Sequence, residues 1–519
     1  MCRLGGWFAI IAPGPENTMR KPRTTSLLAT ALCAIACLFG TSTASAAAPS
    51  LAVSGNRIID TGSGQTFTPR GVDWPSFEYA CVFDYGYSNE ASATQVGPTA
   101  QNAALLASWH INIVRIPLNQ DCWLGEDGKP GGGLTASGYR DAVAAWVGLL
   151  HDAGMAVILD LHWSGPNSVV ADGQRMLADE RSPVFWTSVA ERFKDDHATI
   201  FDAFNEPYSR TFDGGPTFEL TWTCWRDGGC PGPRQSDLEP TYNGKSMLLF
   251  GMQSLVTAIR ATGATQPIML GGLDYANDLS RWLTFRPAGD DQLIASFHNY
   301  DGQRCQTEAC WDTEIAPVAA QVPVVTGEFG ETDCRDTFDV NYMNWADRHG
   351  VGYLMWQWIV LEPSELATPP CASLAIIADA QGTPMAPNGT ALKAHLDALA
   401  AGTTPPGAMT TAPPNRPGAA GATDRRAPQL TRLVALRGRT ALTLRVTLNE
   451  PARVRIVLTR KPKRRPLVNV VRRAPKGTST LTVTQRHLRA GRYRMTVTAT
   501  DASGNHSAPS TLRFRVRRP

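Results

Sequence analysis

Apolar segments rich in β-branched residues alternate with amphipathic segments of helical length between residues 67 and 358. The apolar segments predict eight strands, at Phe67–Val72, Ile111–Pro117, Ala156–His162, Ile200–Phe204, Ile268–Gly271, Leu293–His298, Val322–Phe329 and Val351–Trp358. The segments with helical periodicity are Thr135–Ala153, Pro183–Asp196, Asn243–Thr262 and Asp336–Arg348. Because strands that alternate with helices form parallel βαβ units, this pattern predicts an α/β fold of the (β/α)8 TIM barrel type. A small hairpin at Ile58–Gly64 is expected before the barrel.

A different pattern begins near residue 429, where apolar and polar residues alternate with a period of two. The clearest strands are Ala441–Leu448, Ala452–Leu458, Thr480–Thr484, Gly491–Thr500 and Thr511–Val516. About seven short strands in such a segment predict an all-β sandwich of immunoglobulin or fibronectin type. We therefore expect a barrel domain at 49–401, a linker rich in Pro, Thr, Gly and Ala at 402–428, and a sandwich domain at 429–519.

The beginning of the chain has the pattern of a secretory signal peptide, which we place at residues 1–48. A basic segment starts at Met19, the apolar run Leu27–Phe39 follows, and Ala44-Ser45-Ala46 is a small-residue cleavage signal. Met19 is a better start than Met1 for such a signal. A lipoprotein anchor at Cys37 is the less favoured alternative. We expect a secreted, extracellular protein with no membrane segment after cleavage.

Eight cysteines remain after removal of the signal, and an even number in an exported protein predicts disulfide bonds. Two pairs are close in sequence, Cys224 with Cys230 and Cys305 with Cys310. The remaining cysteines are Cys81, Cys122, Cys334 and Cys371. Three pairings among these four stay open. No Cys-x-x-Cys pair stands near histidines, the acidic pairs Asp195-Asp196 and Asp290-Asp291 lack EF-hand spacing, and no Gly-rich phosphate loop follows a strand. We therefore expect no metal site and no cofactor.

The two parts of the mature chain carry opposite charge. Residues 429–519 contain 22 Lys and Arg but two acidic residues, for a net charge of +20, whereas residues 49–428 have a net charge of −20. This basic part has no tryptophan, and Tyr493 and Phe514 lie in alternating strands where core packing is expected. An anionic partner is therefore predicted, with anionic cell-envelope polymer, acidic polysaccharide and the acidic barrel itself as candidates. A solvated spacer is the alternative, and no nucleic acid is expected.

Polar and aromatic residues follow the predicted barrel strands, at the end where TIM barrels place their active sites. These residues are Arg115, His162, Asn205, Glu206, His298, Tyr300, Glu328 and Trp356. The two glutamates suit glycoside hydrolysis, in which one carboxylic acid protonates the leaving oxygen and one carboxylate attacks the sugar. Trp163 and Trp358 are possible outer subsites. Trp222, Trp225 and Trp311 are also predicted near this face, where a packing role is at least equally expected.

These residues, in order and on the expected elements, make the segment from Leu51 to Ala400 similar to glycoside hydrolase family 5, the cellulase family. The resemblance implies that Glu206 is the general acid/base and Glu328 the nucleophile of a retaining enzyme. It implies binding or orienting roles for the others, namely Asn205 at the sugar 2-hydroxyl, Arg115 and Tyr300 at Glu328, and His162, His298 and Trp356 along the subsite of the cleaved sugar. The match is less clear at the last strand, because Trp358 is two positions after Trp356, is expected on the same face of the strand and could take the same stacking role.

The resemblance implies an endo-β-1,4-glucanase, a cellulase that acts through a glycosyl-enzyme intermediate. A β-mannanase, or a hydrolase of another β-glucan or β-glucoside, is the alternative within the same family. A non-catalytic carbohydrate-binding surface protein is a remote alternative. We expect a monomer whose substrate is a β-linked polysaccharide.

Overall fold

The structure is a computed structural model with two compact units, Met1–Met409 and Thr410–Pro519. It describes residues 47–83, 86–87, 96–130, 134–212, 216–234, 246–361, 369–408, 428–437, 441–448, 452–460, 466–474, 477–484, 491–500 and 507–516. Residues 1–46 of the predicted signal peptide and 409–427 of the predicted linker therefore lie outside the described residues. No helix within the described ranges is long and apolar enough to span a bilayer.

The first unit is a closed barrel of eight parallel strands, as predicted. The barrel strands are β1 (Arg70–Asp73), β2 (Ile113–Asn119), β3 (Ala156–Trp163), β4 (Thr199–Asp202), β5 (Ile268–Gly271), β6 (Leu293–Tyr300), β7 (Val324–Gly330) and β8 (Gly352–Met355). Each predicted strand overlaps one of these. Every strand pairs with its neighbours in sequence, and β8 pairs with β1 to close the barrel.

The barrel interior is apolar at one end and charged at the other. On β2, Ile113 belongs to a buried apolar cluster, and Arg115, two positions later on the same face, contacts carboxylates of other strands. On β3, Ile158 and Asp160 repeat this order. The remaining strand residues of the apolar cluster are Ala156, Ile200, Met269, Ile294, Val325 and Leu354. Because side chains alternate across a strand, this spacing stacks a polar layer above an apolar one, at the carboxyl ends of the strands.

The hairpin before the barrel differs from the prediction. Leu51–Ser54 pairs antiparallel with Arg57–Asp60, and Gly55 turns the chain with a φ of 63°. Leu51 and Ile58 pack against the apolar cluster of the barrel interior. The predicted hairpin at Ile58–Gly64 is present only as a single bridge between Ile59 and Thr66. Burial of both Leu51 and Ile58 favours the earlier pairing, since it covers the apolar end of the barrel.

Helices and short helical turns connect the barrel strands. They are α1 (Ala100–Ser108), α2 (Gln120–Leu124), α3 (Ala136–Asp152), α4 (Ser182–Phe193), α5 (Trp222–Asp227), α6 (Met252–Ala261), α7 (Trp282–Phe285), α8 (Glu308–Cys310), a π-helical turn (Trp311–Ile315), α9 (Ala316–Ala319), α10 (Thr337–His349), a 3-10 turn (Pro370–Ser373) and α11 (Asn388–Ala400). Two-residue strands at Arg210–Thr211 and Thr217–Phe218 pair with each other.

The predicted helix Asn243–Thr262 is too long at its beginning. The helix α6 begins at Met252 after the N-cap Gly251. Before it, Ser246–Leu248 pairs as a short strand with Pro231–Pro233. The loop between β4 and α6 therefore uses residues that helical periodicity had assigned to the helix. The barrel unit also extends beyond the predicted boundary at residue 401, because Pro406 accepts a hydrogen bond from Asn344 of α10.

Four disulfide bonds connect the eight cysteines, with Cα–Cα distances of 5.3–5.9 Å. The two local pairs, Cys224–Cys230 and Cys305–Cys310, are confirmed. Of the open pairings, the structure has Cys81–Cys122 and Cys334–Cys371. Every bridged cysteine follows the carboxyl end of a barrel strand, so all four bonds lie in the connections at the polar end of the barrel. Cys81–Cys122 and Cys334–Cys371 join different connections, and the other two bonds each lie within one.

The second unit is all-β, as predicted. Its strands are β9 (Leu430–Arg437), β10 (Ala441–Leu448), β11 (Ala452–Arg460), β12 (Pro466–Ala474), β13 (Gly477–Thr484), β14 (Gly491–Thr500) and β15 (Ser510–Val516). They form two antiparallel sheets, with the orders β9-β10-β13 and β12-β11-β14-β15. Alternate residues such as Leu444, Ile456 and Tyr493 are buried. The five predicted strands are confirmed, and the relation to immunoglobulin or fibronectin domains stays a prediction.

Candidate active site

Arg115 lies at the centre of the polar layer and is completely buried. Its guanidinium contacts three aspartates of three neighbouring strands, Asp73 at 2.9 Å, Asp160 at 3.0 Å and Asp202 at 3.0 Å. Burial raises the pKa of Asp202 to about 8 and that of Asp160 to about 7, and it raises the pKa of Asp73 well above its ordinary value. One cation cannot neutralise so many buried carboxylates, so part of this cluster holds protons at neutral pH.

Glu328 is the fourth carboxyl group on Arg115. The Arg115 Nη1 donates to Glu328 Oε1 at 3.0 Å, and the Tyr300 hydroxyl donates to Glu328 Oε2 at 2.7 Å. Burial raises the pKa of Tyr300 well above its ordinary value, so its hydroxyl keeps the hydrogen that it donates. The register of β7 with β8 shifts between Thr326 and Phe329. Such an irregularity changes the direction of a side chain, and here it accompanies a glutamate at the end of the strand.

Glu206 follows β4 and faces Glu328 across the pocket. Its Oε1 lies 2.9 Å from His298 Nδ1, and its Oε2 accepts a hydrogen bond of 2.8 Å from Gln174 Nε2. Burial lowers the pKa of His298 to about 3, so its ring is neutral at neutral pH. One ring nitrogen of His298 and one carboxylate oxygen from each of Glu206 and Glu328 lie within 4.8 Å of one another. The two glutamates therefore form a close pair with a neutral histidine beside them.

His162 and Trp356 form a second wall of the site. Their rings stack with an interplanar angle of 7° and a centroid distance of 5.5 Å. The Nδ1 of His162 lies 2.7 Å from Asp160 Oδ2, and burial lowers the pKa of His162 to about 4. A neutral His162 whose Nδ1–H donates to Asp160 presents its Nε2 as a hydrogen-bond acceptor. Asp160 thus links this wall to Arg115.

A pocket of about 350 Å3 lies between these side chains. Its lining residues are His162, Gln174, Asn205, Glu206, Tyr275, Tyr300, Gln303, Glu328 and Trp356. The structure thus brings six of the eight predicted site residues to the pocket surface. The other two, Arg115 and His298, are buried directly beneath it and contact the glutamates.

Several residues of the site were not predicted from the sequence. Asp160 and Asp202 had a signal, since each is a charge within an otherwise apolar strand. Gln174 and Gln303 lie in loops, and no spacing marks them in the sequence. Tyr275 is also in a loop, where it stacks on Tyr208 at 4.6 Å and has a φ of 59°.

The tryptophans proposed for outer subsites have different environments. Trp163 is half-buried at the end of β3 and contacts Phe83, an exposed aromatic residue, at 5.6 Å between ring centroids. Trp358 is completely buried and packs edge-on against Trp109, so its assignment to an outer subsite is wrong. Three further tryptophans considered for this face are buried packing residues, namely Trp222, Trp225 and Trp311.

Two groups of side chains are close enough to be considered for a metal ion among the described residues. In the first, Glu206 and Glu328 already accept hydrogen bonds from Gln174, Arg115 and Tyr300. In the second, the cysteines are bonded to each other and offer no thiolate. The carboxylates of the first group and the sulfurs of the second are thus engaged by protein partners, and the chemistry that the pocket offers is that of a carboxyl pair.

The family model described as cellulase, glycosyl hydrolase family 5, matches residues 71–360. The chain belongs to this family. Matching solved structures include a β-glucanase from Saccharophagus degradans in its native form and the same enzyme in complex with cellotetraose. Each is 19% identical with a TM-score of 0.50, and each comparison covers 69% of this chain and 95% of the other. No curated protein matches the chain significantly.

Membership of family 5 makes this protein a glycoside hydrolase of the cellulase type. The match includes the segments that carry both glutamates of the pocket. It therefore favours an enzyme over the remote alternative of a non-catalytic carbohydrate-binding protein. The likeness to the solved β-glucanase supports the barrel fold, and the match to the family model leaves the second unit outside its range.

Proposed function

We propose that this family 5 enzyme is a secreted, retaining endo-β-1,4-glucanase, with Glu328 as nucleophile and Glu206 as general acid/base. The observation that carries the proposal is the approach of one carboxylate oxygen of Glu206 to one of Glu328 within 4.8 Å. Retaining enzymes hold their carboxyl groups about 5–5.5 Å apart, whereas inverting enzymes leave roughly 6.5–9.5 Å for a water molecule. The observed approach supports the retaining geometry.

In the first step, a Glu328 oxygen attacks the anomeric carbon while Glu206 gives its proton to the departing glycosidic oxygen. The bond between the anomeric carbon and that oxygen breaks, and a glycosyl ester to Glu328 forms. Arg115 and Tyr300 each donate to one oxygen of Glu328, so the carboxylate is held in place before attack. Preorganised donors of this kind need no rearrangement during the reaction.

In the second step, Glu206 takes a proton from water, and the water oxygen attacks the anomeric carbon from the face that the leaving group vacated. The ester bond breaks, Glu328 is released as a carboxylate, and the product keeps the β configuration. Gln174 and His298 contact different oxygens of Glu206. Both contacts hold Glu206 on the side of the pocket that faces Glu328.

The remaining pocket residues bind the sugar in this proposal. The Oδ1 of Asn205 accepts a hydrogen bond of 2.7 Å from Arg115, so the Asn205 amide N–H groups are left for the 2-hydroxyl. His162 offers a fixed acceptor, and the face of Trp356 offers an apolar surface to a sugar ring. His298 contributes to the same subsite through its contact with Glu206. Trp163 extends this surface toward an outer subsite.

The proposed substrate is a β-1,4-glucan, supported by the structural likeness to a β-glucanase in complex with cellotetraose. β-Mannan and other β-glucans or β-glucosides remain the alternatives, because the loops that select a sugar differ within a barrel family. The test is a panel of carboxymethyl-cellulose, lichenan, mannan and xylan. We expect a fall in the viscosity of carboxymethyl-cellulose before much reducing sugar appears. Cleavage of mannan alone, or release of single sugars only, would contradict the proposal.

Secretion is supported by the four disulfide bonds, since such bonds persist in oxidising compartments. We propose that the enzyme acts outside the cell as a monomer. Expression of the full chain in its host, followed by activity measurement in the medium and in the cell lysate, tests the location. Activity confined to the lysate would contradict it.

For the basic second unit we propose an anionic cell-envelope polymer as partner. Arg494 of β14 lies directly opposite Arg513 of β15, and both side chains are exposed. In the same register Arg492, which is also exposed, pairs with Arg515. Like charges in directly opposite positions destabilise a sheet, and a bound polyanion would relieve that repulsion. Arginine also matches carboxylate and phosphate geometry better than lysine does.

The test of this partner is a pull-down of the full chain and of a chain truncated after residue 408. Each is applied to an anion-bearing matrix and to microcrystalline cellulose, at low and high salt. We expect the full chain, but not the truncated chain, to bind the anionic matrix. The bound chain should be released by about 1 M salt, at which the Debye length is about 3 Å. Salt-resistant retention on cellulose that needs the second unit would contradict the proposal.

A further inference from the structure

The loop after β6 carries a glutamine, Gln303, whose amide orientation is fixed by the protein. Its Oε1 accepts hydrogen bonds from the Tyr300 N–H at 2.8 Å and from Asn277 Nδ2 at 3.0 Å. Both partners are donors, so the oxygen of the amide must face them and the nitrogen must face away. Within the described part of the chain, Gln303 Nε2 donates to no protein acceptor, and the residue lines the pocket.

The surroundings of Gln303 hold it firmly. Asn277 is buried, its Nδ2 also donates to the His298 carbonyl at 2.7 Å, and its Oδ1 accepts from the Cys305 N–H at 2.7 Å. Cys305 is in turn bonded to Cys310. A donor that is oriented by buried partners loses little conformational freedom when it binds a ligand, so it favours binding more than a mobile side chain does.

Gln174, the other glutamine of the pocket, is used differently. Its Nε2 donates to the carboxylate and to the backbone carbonyl of Glu206, at 2.8 and 3.2 Å. The amide nitrogen of Gln174 thus donates to a protein group, whereas the amide nitrogen of Gln303 has no protein acceptor among the described residues and belongs to a side chain that lines the pocket. The two glutamines therefore differ in that, among the described residues, only the amide donor of Gln174 is engaged by a protein group.

We propose that Gln303 is a substrate-binding residue, which donates a hydrogen bond from Nε2 to one hydroxyl group of the β-glucan chain. This assignment rests on the proposed function, because it takes a sugar as the occupant of the pocket. A hydroxyl oxygen accepts such a bond readily. A sugar that lacks the hydroxyl leaves an amide donor without a partner, which is the situation in which polar sites discriminate most strongly.

The test is a cycle of enzyme and substrate changes on folded, full-length protein. Aryl β-cellotriosides that each lack one hydroxyl are compared with the parent, using wild type and Gln303→Met. For wild type we expect one missing hydroxyl to lower kcat/KM about five- to tenfold through this contact. For Gln303→Met the same deletion should cost less than about twofold. A uniform loss on every substrate would instead report displacement of Tyr300, whose N–H Gln303 anchors.

Gln306→Met is the matched control in the same loop. The Gln306 amide accepts from the Gly302 N–H and donates to the Gln303 carbonyl, so both of its ends are used by the backbone. For Gln306→Met, the missing hydroxyl should lower kcat/KM by the same factor as it does for wild type. If the missing hydroxyl lowers kcat/KM of Gln303→Met as much as that of wild type, the assignment of Gln303 is overturned. The same holds if Gln306→Met abolishes the loss as completely as Gln303→Met does. In both cases the proposed function would stand. A wild-type enzyme that cleaves no β-glucoside would overturn the proposed function and this assignment with it.

Discussion

The two units of this chain place their charges in opposite ways. In the barrel unit, Arg115 and the carboxyl groups around it are buried inside the strands, where they form the floor of the pocket. In the second unit the apolar side chains are inside, and arginines such as Arg494 and Arg513 face the solvent. Buried charge requires exact partners and therefore a rigid frame, whereas exposed charge acts through its number and sign.

Because of this difference, a single substitution should affect the two units to different extents. A single substitution in the polar layer of the barrel removes a specific partner, so we expect large effects on catalysis. A single substitution on the arginine-bearing sheet removes one charge of many, so we expect a small change in binding. Both expectations follow from where the charges lie.

Glu328→Gln should cause the largest effect. The amide is nearly isosteric, its oxygen can still accept from Arg115 and its nitrogen can donate to the Tyr300 hydroxyl oxygen, but it cannot form the glycosyl ester. We expect kcat to fall by about 10⁴-fold or more, with an unchanged unfolding midpoint and unchanged retention on an anionic matrix. Steady-state kinetics on carboxymethyl-cellulose measure the loss. Activity within about tenfold of wild type would contradict the role of Glu328.

Glu206→Ala should have an effect that depends on the leaving group. With natural glucans, which need a proton on the departing oxygen, we expect a loss of about 10²–10⁴-fold. With dinitrophenyl glycosides, cleavage of the aglycone needs no such proton, so the first step should remain fast. Azide should then restore turnover and give a β-glycosyl azide, identified by NMR. An α-glycosyl azide would show that the enzyme is not retaining.

The eight barrel strands could be predicted because each is an apolar run, which is the sequence pattern of a strand that is buried on both faces. The local disulfides were predictable since only a few residues separate their cysteines. In contrast, the second unit's β9 and β12 were missed, because neither shows the clear alternation of the strands that were predicted. The start of α6 was misplaced because short-range periodicity does not record the pairing of Ser246–Leu248 with a distant strand.

The site was predictable to the extent that it lies at strand ends. Glu206, Glu328 and their family partners occur at fixed offsets from apolar runs. Gln174 and Gln303 come from loops, and their positions depend on the path of the loop, which no periodicity encodes. The burial of Trp358 was not visible either, since parity along a strand does not tell whether a neighbouring helix covers the side chain.

The double substitution Cys81→Ser and Cys122→Ser should destabilise the barrel unit but not the second unit. Their bond closes a loop with a sequence separation of 41, so its loss should cost about 3 kcal/mol and lower the barrel's midpoint by on the order of 5 °C. No cysteine follows Cys371, so the second unit should be unaffected. Calorimetry of the full chain, with alkylation of unreduced protein to verify the bonds, measures this. An unchanged barrel transition would contradict it.

Asp202→Asn should cause the smallest effect, a change in the pH dependence of stability. Burial raises the pKa of Asp202 from 3.8 to about 8. Between these values the folded protein keeps a proton that the unfolded chain releases, so the contribution of Asp202 to stability falls as the pH rises from about 4 to 8. Asparagine still accepts from Arg115 but does not titrate. The slope of unfolding free energy against pH should therefore become less negative, by an amount that corresponds to at most about one bound proton.

Urea unfolding at pH 5, 6, 7 and 8, followed by tryptophan fluorescence, measures this slope. Since all 14 tryptophans precede the second unit, the signal reports the barrel specifically. Asp278→Asn, a change at a half-buried aspartate outside the Arg115 cluster, is the control and should keep the wild-type slope. Identical slopes for wild type and Asp202→Asn would mean that Asp202 is ionised across this range.

The disulfide bonds of this enzyme all lie at the end of the barrel that contains the pocket. Two of them close very short loops, Cys224–Cys230 and Cys305–Cys310, and the first of these exposes Asp227 and Gly229 at its tip. A segment whose two ends are covalently joined can change in length without moving the strands that carry it. The loop between Cys224 and Cys230 is therefore the natural point for inserting peptide libraries that reshape the cleft for other polysaccharides.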